Sequence, residues 1–90
     1  MAERVVTIAS AVGLHARPAA LFTQAAARQP VSVTIGKPGG EPVDARSILH
    51  VMTLAVAHGE QVVLRAVGEG SESALDELAE LLSRDLDAQD

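Results

Sequence analysis

The chain has 90 residues, of which 48% are hydrophobic and 1% are aromatic; it contains no cysteine, and its formal net charge is −5. This length and hydrophobic content indicate one globular domain spanning residues 1–90 and argue against an intrinsically disordered chain. The acidic balance and the scarcity of aromatic rings argue against nucleic-acid binding, and the lack of cysteine excludes disulfides and thiolate metal sites.

The apolar segments are too short for a membrane protein. No run approaches the roughly 18 residues of a membrane span, and the N-terminus lacks the apolar region of a signal peptide. We therefore expect a cytoplasmic protein without membrane insertion. We also expect no metal site, because the three histidines come without cysteine or paired acids as further ligands.

The first part of the chain predicts a strand, a loop and a helix. Residues 4–9 are rich in β-branched side chains, which are typical of a strand. The loop at 10–15 contains Gly13, which we expect to supply an unusual backbone angle. Residues 16–28 are rich in alanine and predict a helix. Its buried stripe is predicted to contain Ala19, Phe22 and Ala26.

The middle of the chain predicts a hairpin followed by a second helix. Apolar and polar residues alternate over 31–36, which indicates a half-buried strand, and residues 42–45 predict a short return strand. Residues 47–57 predict an apolar helix with Ser47 as its N-cap. The last residues of this segment could instead be extended, because they precede a turn at Gly59.

The last part of the chain predicts a strand and a third helix. Residues 60–67 predict the strand, and Ser71 is expected to cap the helix that follows. Apolar residues at helical spacing are Leu75, Leu78, Ala79, Leu82 and Leu86. The order β-α-β-β-α-β-α indicates an α+β domain with helices on one side of an antiparallel sheet. Ferredoxin-like domains share much of this order, so the architecture alone does not indicate a function.

Most of the functional information lies in the segment Gly-Leu-His-Ala-Arg-Pro-Ala-Ala at residues 13–20. Proline is favoured in the first turn of a helix, so Pro18 places His15 where the loop becomes the helix. Free N–H groups and the positive end of the helix dipole favour an anion there. We predict phosphate chemistry at the imidazole of His15, with the backbone N–H of Ala16 and the guanidinium of Arg17 holding the phosphate oxygens.

Each of these residues also has a structural interpretation. His15 could be a capping or surface histidine, and Arg17 could be an ordinary solvated arginine in a first helical turn. Ser47 could serve only as a helix cap, since serine is common at that position. Ile48, Leu49 and Met52 of the second helix could simply belong to the core.

The 13–20 segment strongly resembles the active-site motif of the HPr family, the histidine-containing phosphocarriers of the bacterial sugar phosphotransferase system. The segment Ala-Arg-Ser-Ile-Leu-His-Val-Met-Thr-Leu at 45–54 resembles the regulatory-serine region of that family. Length and element order also agree over essentially the whole chain. The resemblance implies an open-faced β-sandwich, with a four-stranded antiparallel sheet covered on one side by three helices.

The same resemblance implies a function and partners. His15 would accept a phosphoryl group from phosphorylated enzyme I and pass it to a histidine of an enzyme IIA domain, so the protein would be a phosphocarrier rather than an enzyme. No cofactor is implied, and we expect a monomer. In the family the phosphate is carried on Nδ1, a choice of nitrogen that the spacing here does not indicate. The docking patch of the family would correspond to Ile48, Leu49 and Met52.

An alternative function rests on Ser47. In some lineages of the family, the serine at this position is an ATP-dependent phosphorylation site, and its partner would be an HPr kinase/phosphorylase. The protein would then be a regulatory interaction module. A third interpretation, a small ligand-binding domain, has little support because the chain has no Gly-rich phosphate-binding loop. The chain departs from many relatives at Val12, where a polar residue is usual, and at His50, where glycine or lysine is frequent.

Overall fold

Four strands form one antiparallel sheet in the computed structural model, which describes residues 1–84. The strands are β1 (Ala2–Thr7), β2 (Val33–Gly36), β3 (Val43–Asp44) and β4 (Gln61–Ala66), and their order in the sheet is β1-β4-β2-β3. The helices are α1 (Ala16–Ala27), α2 (Ile48–Thr53) and α3 (Ser71–Leu82). The predicted α+β fold is confirmed.

The sheet has a covered face and an open face because side chains alternate along its strands. Val6 of β1 and Leu64 of β4 are buried on the covered face, where α3 packs against both strands. Val5, on the opposite face of β1, is more than half exposed. α1 packs against α3 and α2, so the three helices close one side of the sheet. The predicted stripe of α1 is buried, with Ala19, Phe22 and Ala26 in the core.

The predicted strands are present, but their boundaries differ. The strand predicted at 4–9 is Ala2–Thr7, because β1 pairs with β4 in a register that places Ala2 opposite Ala66 and Thr7 opposite Gln61. After Thr7 the chain leaves the sheet, although Ile8 still donates to the carbonyl oxygen of Glu60 at 2.9 Å. β3 and β4 are shorter than predicted at both ends, and β2 is shorter than predicted only at its beginning.

The second helix is also shorter than its apolar pattern predicts. Ser47 is its N-cap, as predicted, but the helix ends at Thr53 instead of continuing to residue 57. The backbone of Ala55 has a φ of 53°, a left-handed conformation that does not continue a right-handed helix. The residues after Ala55 therefore form an irregular segment instead of a helical turn.

The start of the third helix corrects one further prediction. Gly70 is the N-cap of α3, and Ser71 is its first helical residue, with its hydroxyl donating to the carbonyl oxygen of Gly68 at 2.6 Å. The predicted apolar stripe of this helix is buried at Leu75, Leu78 and Leu82. Its last predicted member, Leu86, lies outside the described residues.

Candidate functional site

His15 lies at the junction between the loop that follows β1 and the first turn of α1. It is the N-cap of α1, with an extended backbone at φ −144° and ψ 159°, and its side chain makes no capping hydrogen bond. The residue is exposed. The structure therefore does not support a capping role for the imidazole, which is left accessible at the positive end of the helix dipole.

The loop before His15 is anchored to the segment that follows α2. The side chain of Leu14 is 1% exposed, and its backbone N–H donates to the carbonyl oxygen of Val56 at 3.0 Å. Gly13 has a φ of 75°, which confirms the predicted unusual angle, and its N–H donates to the carbonyl oxygen of Ser10 at 2.9 Å. His15 therefore follows a backbone that is fixed in place.

The residue between His15 and Arg17 adopts a strained conformation. Ala16 has a φ of 49°, in the left-handed region that costs a residue with a Cβ about 1–2 kcal/mol. Its side chain is exposed, and the N–H groups of a first helical turn have no acceptor within the helix. The strain lies directly beside the candidate nucleophile, which is where strain is often part of a mechanism.

Arg17 brings a permanent positive charge to the same turn. It is exposed and lies two residues after His15, followed by Pro18, which is buried as part of the first turn of α1. The planar guanidinium suits phosphate oxygens. His15, Ala16 and Arg17 thus combine an accessible imidazole, a first-turn backbone N–H and a guanidinium within a single helical turn.

Ser47 and the exposed side chains of α2 form a second predicted region. The hydroxyl oxygen of Ser47 accepts from the N–H of His50 at 3.3 Å, so the serine is a helix cap whatever else it does. Ile48 is 41% exposed and Leu49 is 72% exposed, whereas Met52 is half-buried and packs against the core. Ile48 and Leu49 are therefore available for contact with another protein, and Met52 has a partly structural role.

The two other histidines lie on segments other than α1. His50 is exposed on α2, and Nδ1 of the exposed His58 lies 3.1 Å from the carbonyl oxygen of Ser10. Within residues 1–84, no group of three histidine, cysteine, aspartate or glutamate side chains is arranged to hold a metal ion. None of the helices in that range has the length and apolarity to cross a membrane.

Sequence reasoning missed the acidic side chain that supports the segment after α2. The carboxylate of Glu60 accepts from the backbone N–H of Ala57 at 2.7 Å, and the N–H of Glu60 donates to the carbonyl oxygen of Ala57 at 3.1 Å. The Ala57 N–H, helped by nearby Lys37, holds the pKa of the Glu60 carboxyl below its usual range. The only sequence feature that pointed to this role is the position of Glu60 directly after Gly59, and a single acidic residue beside a turn is too common to indicate it.

The site and fold agree with a known family. A family model described as the PTS HPr component phosphorylation site matches residues 2–84. The chain is 48% identical over 87 residues to the phosphocarrier protein HPr of Streptomyces coelicolor, a match that covers 97% of this chain and 94% of that protein. Its structure is similar to a crystal structure of a phosphocarrier protein HPr from Bacillus anthracis, with a TM-score of 0.85, 37% identity, and 90% of this chain and 95% of that chain covered.

A regulatory relative is also similar. The crystal structure of Crh, the catabolite repression protein of Bacillus subtilis, is described as a dimer with a swapped domain; it has a TM-score of 0.73 and 41% identity, and 94% of this chain and 97% of that chain are covered. Together with the match over residues 2–84, these similarities decide the family. The chain belongs to the HPr family of phosphocarrier proteins of the phosphotransferase system, which are carriers rather than enzymes.

Proposed function

We propose that His15 is the phosphoryl acceptor, which receives the group from phosphorylated enzyme I and passes it to enzyme IIA domains of sugar permeases. The single observation that carries this proposal is the exposed imidazole of His15, uncommitted as a cap, at the start of α1 and two residues from Arg17. A neutral imidazole is a good nucleophile near neutral pH. We propose no cofactor, because the phosphoryl group is bound directly by His15 and then passed on.

The proposed transfer forms one bond as another breaks. The lone pair of an imidazole nitrogen of His15 attacks the phosphorus atom, and the bond from phosphorus to enzyme I breaks, leaving its electron pair on enzyme I. The N–H of Ala16 and the guanidinium of Arg17 would hold the phosphoryl oxygens as negative charge builds up near the helix. In the onward step, a ring nitrogen of the enzyme IIA histidine attacks the phosphorus atom, and the bond from phosphorus to His15 breaks with its electron pair left on His15.

An accessible carrier site must release its phosphate as readily as it accepts it. The three groups that would hold the phosphate all lie on the exposed first turn of α1, where solvent screens charge and keeps individual contacts weak. Deep burial would bind the phosphoryl group more firmly and would block a second protein. The exposure of His15 therefore supports a carrier that meets two partners in turn.

The partners would dock on α2 next to the phosphorylated turn. Ile48 and Leu49 present exposed apolar surface, Met52 of the same helix is half-buried, and α2 packs against α1. Apolar side chains that lose water on binding supply most of the affinity of such an interface. We propose that enzyme I and the enzyme IIA domains both use these three residues.

Labelling with enzyme I tests the proposal. Incubation of the protein with phosphoenolpyruvate and enzyme I should give an acid-labile phosphoprotein that loses its phosphate when an enzyme IIA domain is added. An unlabelled wild-type protein would contradict the acceptor role. A labelled protein that keeps its phosphate in the presence of several enzyme IIA domains would contradict the onward transfer.

We propose a cytoplasmic monomer, in which β1 pairs along its whole length with β4 of the same chain. The related Crh structure is described as a swapped dimer, so the question is experimental. Light scattering should give a mass near 9.3 kDa; twice that mass at micromolar concentration would contradict the monomer.

A second candidate function is regulation through Ser47, favoured by the similarity to the catabolite repression protein Crh. The Ser47 hydroxyl oxygen lies at the N-terminus of α2, where added phosphate charge is electrostatically favourable. An HPr kinase/phosphorylase with ATP should then give an acid-stable phosphoserine that is absent from Ser47→Ala. Failure of the wild-type protein to be phosphorylated by such a kinase would contradict this role and leave the carrier role intact.

A further inference from the structure

One peptide group connects the loop before His15 to the turn before β4. The carbonyl oxygen of Val56 accepts from the N–H of Leu14 at 3.0 Å. The N–H on the other side of the same peptide group, that of Ala57, donates to the carboxylate of Glu60 at 2.7 Å. Because a peptide group is planar, hydrogen bonds at both of its ends fix how it is rotated.

The hydrogen bond from Ala57 to the Glu60 carboxylate is the strongest bond of this series. Hydrogen bonds to an ionised acceptor are roughly twice as strong as neutral ones, and bonds in a series polarise one another. Glu60 is itself held by Lys37, whose Nζ lies 3.5 Å from Oε1 of Glu60 and donates to the carbonyl oxygen of Ala55 at 3.4 Å. The negative charge of Glu60 therefore strengthens the acceptor that Val56 offers to Leu14.

The loop that is held in this way leads directly into the strained turn. Leu14 precedes His15, and Ala16 has a φ of 49°. A strained backbone persists only when its surroundings fix it from more than one side. The body of α1 fixes the far side of Ala16, and the hydrogen bond from Leu14 to Val56 fixes the near side.

We infer that Glu60 is a positioning residue for His15, acting through the Val56–Ala57 peptide group and Leu14. This inference rests on the proposed role of His15 as the phosphoryl acceptor. Glu60 takes no part in the chemical step; it keeps the imidazole where a donor protein meets it. Loss of the carboxylate should loosen Leu14 and slow phosphoryl transfer while the rest of the fold stays intact.

Hydrogen exchange tests the structural part without any partner protein. The variants are Glu60→Ala, Glu60→Gln, whose amide oxygen can still accept from Ala57, and Glu69→Ala, a control at an exposed acid beyond the other end of β4. In Glu60→Ala, the amide of Leu14 should exchange about tenfold faster relative to the core amide of Leu64, as expected for loss of one charge-assisted bond. Glu60→Gln should recover only part of the protection, because its neutral amide oxygen accepts a weaker hydrogen bond than the carboxylate, and Glu69→Ala should match the wild type.

Two exchange results would overturn the inference. Unchanged protection of Leu14 in Glu60→Ala would show that the carboxylate does not hold this loop. Equal acceleration at Leu14 and Leu64 would show that Glu60 contributes only to global stability.

Transfer kinetics test the functional part. With phosphorylated enzyme I as the donor, Glu60→Ala should lower the maximal transfer rate about tenfold with an unchanged KM, and Glu60→Gln should recover part of that rate. A wild-type rate in Glu60→Ala, or a change confined to KM, would overturn the positioning role. If the wild-type protein takes no phosphate at all, the proposed acceptor role of His15 fails, whereas the exchange experiment still decides whether Glu60 holds Leu14.

Discussion

Gly13 packs so closely against Val56 that a Cβ atom on Gly13 would lie 2.3 Å from the Val56 carbonyl oxygen. The same atom would lie 2.9 Å from Cα of Ala57, so the obstacle is backbone that cannot turn aside as a side chain could. This contact holds the loop before His15 against the segment after α2, and it explains why this position requires glycine for space as well as for its φ of 75°.

Substitution of Gly13 should therefore cost more than its backbone angle alone. Gly39 has a similar φ of 78°, but a Cβ atom on Gly39 would meet nothing within 4 Å, which makes it a matched control. We expect Gly39→Ala to lower the free energy of unfolding by about 1 kcal/mol and Gly13→Ala to lose a further 1–3 kcal/mol, roughly the cost of overpacking. Urea denaturation measures both; equal losses would contradict the close approach.

Glycine at position 16 should relieve strain instead of creating it. Ala16 has a φ of 49°, which glycine adopts without a Cβ penalty. We expect Ala16→Gly to raise the free energy of unfolding by about 1 kcal/mol. Ala20→Gly, in the ordinary helical backbone of the same helix, should lower it by about 0.5–1 kcal/mol. Denaturation curves in which both variants are destabilised alike would rule out strain at Ala16.

Acid should weaken the fold partly through Asp44. The side-chain hydrogen bonds from Arg46, followed by its backbone N–H, hold the pKa of the Asp44 carboxyl below its usual range. A lowered pKa in the folded state means a stabilising contribution that is present above the unfolded pKa, near 4, and is lost as pH falls through the folded pKa. The free energy of unfolding should thus fall less steeply with acid, below about pH 4, in Asp44→Asn and in Arg46→Ala than in the wild type. Parallel curves for all three proteins would contradict this assignment.

The exposed apolar surface of α2 should matter for binding and not for folding. Leu49 is 72% exposed, and Val67, which lies beyond the end of β4, is 69% exposed. We expect Leu49→Ala to weaken the affinity for enzyme I at least tenfold, since burial of a leucine side chain contributes about 1.5–3 kcal/mol, and to change the free energy of unfolding by less than about 0.5 kcal/mol. Val67→Ala should change neither quantity. Equal effects of the two variants on affinity, measured by calorimetry, would argue against α2 as the docking surface.

The sequence predicts the parts of the structure that depend on repeating patterns. The spacing of Ala19, Phe22 and Ala26 predicts the buried side of α1, and the alternation around Val33 and Ile35 predicts the buried side of β2. Ser47 is identifiable as a cap because serine offers an oxygen that alanine lacks. These features depend on residues that are close together in the sequence, so a single sequence is enough to predict them.

The parts that the sequence does not predict depend on contacts between distant segments. Alanine is a strong helix former, so nothing in its side chain indicates the left-handed backbone at Ala16 or at Ala55, where the expected longer helix breaks. The partner of Leu14 is Val56, far along the chain, and Glu60 supports that contact through a backbone N–H. The sequence therefore singles out Gly13, and it predicts His15 and Arg17 as site residues, but it does not indicate that Val56 and Glu60 hold the loop before His15.

We propose that His15 alone carries the phosphoryl group, and the chain offers a direct test because it has three histidines. The double variant His50→Gln/His58→Gln keeps only His15, and the single variant His15→Gln keeps the other two. After incubation with enzyme I and phosphoenolpyruvate, intact-protein mass spectrometry at neutral pH should show one phosphoryl group on the double variant and none on His15→Gln. A phosphoryl group on His15→Gln, or an unlabelled double variant beside a labelled wild type, would contradict the claim.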